Sequence, residues 1–275
     1  MKKKIILIIS IASILVGCGD IQKNSIVYAA DTQAIPAPKE EEEAVPLQTF
    51  EDVEFQTSEE VTTRINEYEN YNNILIQYLQ NNYLNKNLIN KNAQTALNEY
   101  LKIKDKITGC KNIYNTLVEQ EKQAAYDAKM AQCAAEYESA TYIWQRLIAA
   151  GLNESAAAGI LGNIMVEVGG FTLNIPYWTS SASGTYYGMC QWNIHYYGEV
   201  VGAGLEGQCD YLLSTIENQF NSYGYLAGVS YESFKQIGDC ETAALAFAEV
   251  YERCGSSTYS IRQSCARTAY NYFAG

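Results

Sequence analysis

Between Asn153 and Gly170 the sequence spells out one complete helix, and that segment most limits what the chain can fold into. Asn153 is a good N-cap, Glu154 sits where an acid favours the helix dipole, and Gly169-Gly170 is a stop. On a helical wheel Ala157, Ile160, Leu161, Ile164 and Val168 gather on one face, with Glu167 at its edge in the last turn. An apolar stripe of that length needs burial against other elements, so a packed helical domain is predicted around it. Partial burial and the negative helix end would both disfavour the charged form of Glu167. A general acid working near neutral pH needs that environment. The same position also fits a boundary carboxylate that merely points to water.

The surrounding pattern, Thr141 to Gly275, is mainly helical. An amphipathic stretch with Tyr142, Ile143, Leu147 and Ile148 stops at Gly151. After Gly170, residues Phe171 to Tyr177, a turn at Ser181 to Gly184 and Tyr186 to Trp192 predict a short β-hairpin or irregular β-lobe. Helices are expected again at Gln208 to Gln219, Cys240 to Tyr251 and Ile261 to Phe273. The fold class is therefore mainly α: an α+β domain with a small β-hairpin lobe, preceded by a helical region.

Four ordered motifs in this half resemble the phage tail lysozyme family of the lysozyme-like superfamily. Ala156-Ala157-Ala158-Gly159-Ile160-Leu161-Gly162-Asn163-Ile164, followed by Glu167, is similar to its catalytic helix. Gly188-Met189-Cys190-Gln191-Trp192 resembles its glycine-x-x-glutamine-tryptophan signature, and Gln208 to Leu212 its next helix. Ala244 to Glu252 with Arg262-Gln263 resembles its closing segment. Val168 stands where that family more often has Ser. The resemblance implies a peptidoglycan glycosidase in which Glu167 protonates the bridging oxygen between N-acetylmuramic acid and N-acetylglucosamine. It implies that Gln191 and Trp192 line the sugar cleft, with Tyr186, Tyr187, Tyr177, Trp178, Tyr196 and Tyr197 as further candidates; Trp192 could equally pack the lobe's core. Muramidases use a second carboxylate, yet no Asp or Glu occurs between Glu167 and Glu199. That absence favours a lytic transglycosylase with a single acid. Water attack helped by Glu206 or Asp210 is the rival. Glu249 and Glu252, near Arg253 and Arg262, read as a structural ion pair.

The chain opens with Lys2-Lys3-Lys4 and an apolar run from Ile5 to Val16, too short to span a bilayer comfortably, which reads as an export signal. Leu15-Val16-Gly17-Cys18 resembles a bacterial lipobox, making Cys18 a lipidation site over residues 1–18 and the membrane a partner through a lipid anchor. Cleavage after Val27-Tyr28-Ala29 is the alternative, giving a secreted chain. Residues 19–57 hold Pro36, Pro38, Pro46 and the run Glu40 to Glu43, an extended linker. Residues 58–140 are expected to form two or three helices, broken near Asn85 to Asn92 and at Thr108-Gly109, as a spacer or assembly element. Residues 141–275 form the catalytic domain. A non-catalytic peptidoglycan-binding lipoprotein, or a scaffold in a secretion or conjugation complex of the cell envelope, is the competing function.

Charge removes other classes. The net charge is −12; acids outnumber bases 20 to 11 in residues 19–140 and 11 to 5 in residues 141–275. Such a chain attracts neither nucleic acid nor an anionic lipid surface. There is one histidine, His195, and no CxxC spacing, so no metal and no cofactor is expected. Tyrosine, at 23 copies against 7 Phe and 3 Trp, suits polar stacking surfaces. Outside the cytoplasm the cysteines other than Cys18 are expected to staple the catalytic domain, with Cys240 and Cys254 a plausible pair. If Lys111 to Glu138 is one helix, Cys110 and Cys133 lie roughly 34 Å apart and cannot bond each other.

Overall fold

A computed structural model describes residues 43–84 and 91–275. The export signal, Cys18 and most of the acidic linker lie outside the described residues, as does most of the expected break near Asn85 to Asn92, whose last two residues are already helical. The chain divides into two compact units, one ending at Gln123 and one running from Ala124 to Gly275.

In the first unit, α1 (Ser58–Leu79) begins at a capping box. The Thr57 hydroxyl accepts from the Glu60 N–H, and the Glu60 carboxylate accepts from the Thr57 N–H, each at 3.3 Å. Val61, Tyr68, Tyr71 and Leu75 of α1 share a core with Tyr100, Ile103 and Ile107 of α2 (Lys91–Glu136). The predicted break at Thr108-Gly109 does not occur: α2 runs through it, with the Thr108 hydroxyl bonded back to Lys104 O at 3.1 Å. Both residues are exposed there. An exposed helical glycine costs only about 1 kcal/mol against Ala, which a helix of 46 residues absorbs.

The second unit starts within α2, whose Met130 and Cys133 are buried in its core. It continues through α3 (Glu138–Ala149), α4 (Glu154–Glu167), β1 (Tyr186–Tyr187), β2 (Trp192–Asn193), α5 (Gly204–Tyr223), the short α6 (Tyr231–Phe234), α7 (Cys240–Phe247) and α8 (Tyr259–Phe273). The two strands pair antiparallel, Tyr186 opposite Asn193 and Tyr187 opposite Trp192. The hairpin is tighter than the sequence suggested: residues 171–177 form no strand, and only an isolated bridge links Ser180 to Tyr187.

The centre of this unit is α4. Its N-cap is Asn153, whose side chain accepts from the Ala156 N–H at 2.8 Å. The expected single apolar face gives way to burial all round, from Ser155 to Met165. Small residues explain it. A Cβ on Gly159 would lie 2.7 Å from the backbone of Ala243 on α7, and one on Gly162 2.4 Å from the backbone of Ala266 on α8. Both helices therefore touch the α4 backbone itself. That close packing fixes where the last turn of α4, and so Glu167, emerges.

Candidate active site

The only charged side chain in the last turn of α4 is Glu167, and it meets a guanidinium. Arg262, buried on α8, donates from Nη2 to Glu167 Oε1 at 2.5 Å, from Nη1 to Asn163 Oδ1 at 2.7 Å and from Nε to Thr258 Oγ1 at 3.1 Å. Asn163 is itself pinned, its amide donating to Gly159 O at 2.8 Å and Ala244 O at 2.9 Å. Asn163 stands one turn before Glu167, and this buried amide orients the cation that holds the acid. The Glu167 side chain keeps 19% of its surface against 4% for Arg262. One oxygen is thus clamped from the protein side, while the carboxylate remains reachable.

A second carboxyl completes the cluster. After α7 the chain widens into a π-turn, Ala248–Glu252, ending at Arg253 in left-handed conformation. Such a bulge rotates the following side chains out of helical phase, a device common at functional sites. Glu252 is carried inward, its Oε1 enclosed without a hydrogen-bond partner. Burial first, and then the neighbouring Glu167 charge, push the Glu252 carboxyl well above the usual carboxylate range. Arg262, the Cys190 thiol and Arg253 pull it back without cancelling the shift. Glu252 therefore holds its proton more tightly than an ordinary glutamate. Burial lowers the Arg262 affinity for its proton, but the Glu167 carboxylate more than offsets that and holds the guanidinium above its usual value. The ion pair expected between Glu249 or Glu252 and Arg253 or Arg262 does not form; Arg262 on α8 pairs instead with Glu167 on α4.

The hairpin is locked onto α5 by its signature residues. Gly188 needs φ +84°, and a Cβ there would meet Gln208 Oε1 at 2.5 Å. The fully buried Gln208 accepts from Met189 N–H at 2.8 Å and donates to Tyr177 O at 3.0 Å. Gln191, at φ +45°, donates its amide to Gly188 O at 2.8 Å and Thr179 O at 3.2 Å, so its NH2 ties the loop together. Trp192 is 6% exposed, and its indole N–H donates to Tyr251 Oη at 3.1 Å. It packs the core of the lobe, perpendicular to the Tyr211 ring and almost wholly buried. Tyr186 is half-exposed and Tyr187 partly buried. Trp178, at 61% exposed, is the open indole of the lobe. Of the carboxylates considered as partners of Glu167, Asp210 is paired with Arg146 and Glu206 is exposed.

The seven described cysteines are all free thiols, and no disulfide forms among the described residues. The expected Cys240–Cys254 staple fails on geometry. The connection between them is helical through Glu252, so the two lie roughly 18 Å apart along an axis, far beyond disulfide reach.

A two-stranded lobe set against a buried helix that ends in a clamped glutamate defines a lysozyme-like domain. Residues 138–273 match the phage tail lysozyme family. No curated protein and no solved structure matches the chain. The family suggests glycosidase activity on peptidoglycan.

Proposed function

We propose that the chain is an exported enzyme that cuts the glycan backbone of peptidoglycan, with Glu167 as its general acid. The observation that carries this is the Arg262–Glu167 contact, which holds a partly open carboxylate at the end of the helix that the family match contains. Of the two carboxyls near Arg262, Glu252 is enclosed and holds its proton more tightly than an ordinary glutamate, whereas Glu167 faces outward and can reach a substrate. Glu167 then protonates the bridging oxygen between N-acetylmuramic acid and N-acetylglucosamine as that bond breaks.

The hairpin offers no carboxylate, and Glu252 is enclosed, so neither supplies a base for an attacking water. This supports a single-acid lytic transglycosylase. Glu167, now ionised, takes the proton of the muramyl 6-hydroxyl, whose oxygen closes on C1 to give a 1,6-anhydro ring. Mass spectrometry of wall digests tests the choice: anhydromuramic ends support it, and reducing ends with an added water favour a muramidase. In the same reading Gln191 holds the hairpin, while Tyr186 and Tyr187 are the substrate-facing residues of the lobe. Cys18 anchors the chain to the outer face of the cytoplasmic membrane, and residues 19–140 serve as linker and helical spacer.

A further inference from the structure

Residues 141–275 hold five cations, and four of them have carboxylate partners. Arg146 pairs with Asp210, Lys235 with Glu232, Arg262 with Glu167 and Arg267 with Glu241. Among the described residues, no carboxylate lies within ion-pair distance of Arg253. It is exposed, it follows Glu252 directly, and its guanidinium rests 4.7 Å from the Tyr223 ring centroid. Its backbone is left-handed at φ +51°. Glycine is the usual occupant of that position after a helix, and a residue with a Cβ is strained there. A long cation is thus kept at a costly site with no carboxylate in ion-pair contact.

Arg253 stands between two recesses. One is a groove of about 310 Å³ lined also by Leu226, Glu249, Cys254 and Tyr259. That volume is at the lower end of the ~300–1,000 Å³ range of ligand sites. Glu249 is the groove's own carboxylate, and Cys254 feels the charges of Glu167 and Glu252, so the groove lies near the acid cluster. The other recess lies among Trp192, Tyr197, Tyr211, Thr215 and Tyr251, and into it Gln219 presents an Oε1 that is buried without a partner. Arg253 as a donor and the unsatisfied Gln219 acceptor therefore line the same recess.

We infer that Arg253 is a specificity residue that binds a carboxylate carried on the muramoyl side chain of the glycan, beside the bond that Glu167 cleaves. This rests on the reading of Glu167 as the acid. In a domain with an excess of acids, an anionic substrate needs one uncompensated cation at short range, and Arg253 supplies it. The carboxylate belongs either to the lactyl group of strands stripped of peptide or to the stem peptide itself.

Binding in the inactive Glu167→Gln protein, measured by calorimetry, tests it with three ligands of equal length. They are a chitooligosaccharide, which has no lactyl group, a peptide-free muramoyl oligosaccharide, and its peptide-bearing form. The expected result is about tenfold tighter binding of at least one muramoyl ligand than of the chitooligosaccharide. The ligand that shows the gain identifies which carboxylate is read. Adding Arg253→Gln abolishes that gain and leaves chitooligosaccharide binding unchanged. Arg253→Gly, which suits the backbone, does the same without lowering the melting temperature. Equal loss for all ligands, no loss, or no preference to begin with overturns the inference. Failure of the Glu167 reading is seen separately, as a wild-type protein that does not clear wall.

Discussion

Arg262 Nη2 lies 2.5 Å from Glu167 Oε1, and the two residues are 95 positions apart in sequence. The contact joins the last turn of α4 to α8, so one pair of side chains both closes the core and sets the orientation of the proposed acid. Arg262→Met removes three hydrogen bonds and leaves Asn163 Oδ1 and Glu167 without their donor. Breaking a buried pair costs about 3–5 kcal/mol; with Glu167 partly solvated, about 2–3 kcal/mol is expected. Urea unfolding measures it, and wall-clearing activity should fall by more than the stability loss explains.

The glycines of α4 make a second prediction. Gly to Ala inside a helix ordinarily gains about 1 kcal/mol. At Gly159 and Gly162 the new Cβ would press on the backbone of Ala243 and Ala266, which cannot swing aside. Overpacking of this kind costs about 1–3 kcal/mol or more, so the clash wins. Either substitution should lower the melting temperature by circular dichroism; an unchanged or raised value would contradict the packing.

The protonation of Glu252 has a definite sign in stability. In the folded chain its carboxyl holds its proton to higher pH than in the unfolded chain, because of burial and then the Glu167 charge. Above the ordinary glutamate value, about 4.3, the unfolded state therefore binds fewer protons than the native one. Stability from this group is lost as pH rises toward the native value. Glu252→Gln removes the slope. Its stability relative to wild type should improve from pH 5 to pH 8, measured by urea unfolding at both.

Much of this was legible locally and little of it at long range. Asn153, Glu154 and Gly169-Gly170 marked the ends of α4 because capping depends on neighbours three residues away. Glu167 was visible for the same reason. The motifs that resemble the phage tail lysozyme family carried the fold class, since hairpin and helices follow each other in fixed order. The partner of Glu167 was not legible. Several cations could have reached it, and the choice of Arg262 depends on how α8 crosses α4. The inward turn of Trp192 depends on Tyr251, 59 residues on. The π-turn that buries Glu252 has no local sign in Ala248 to Glu252, because it reflects packing and not propensity.

The free thiols lead to a fourth expectation. A stapling disulfide is worth about 2–4 kcal/mol, so its reduction would shift the melting temperature by several degrees. Reductant should leave the melting temperature of the second unit unchanged. Among its cysteines, Cys254 alone is not fully buried, and native-state alkylation should label it first. Burial also pushes its thiol up, which makes the reaction slow.

The central claim is that Glu167 supplies the proton that breaks the glycan strand. The rate at which purified wall loses turbidity, with wild-type protein and with Glu167→Gln at equal folded concentration, tests it most directly. Clearing by wild type and a loss of about 10²–10⁴-fold in the variant is the expected result. Equal clearing by both proteins, or none by wild type, would contradict it.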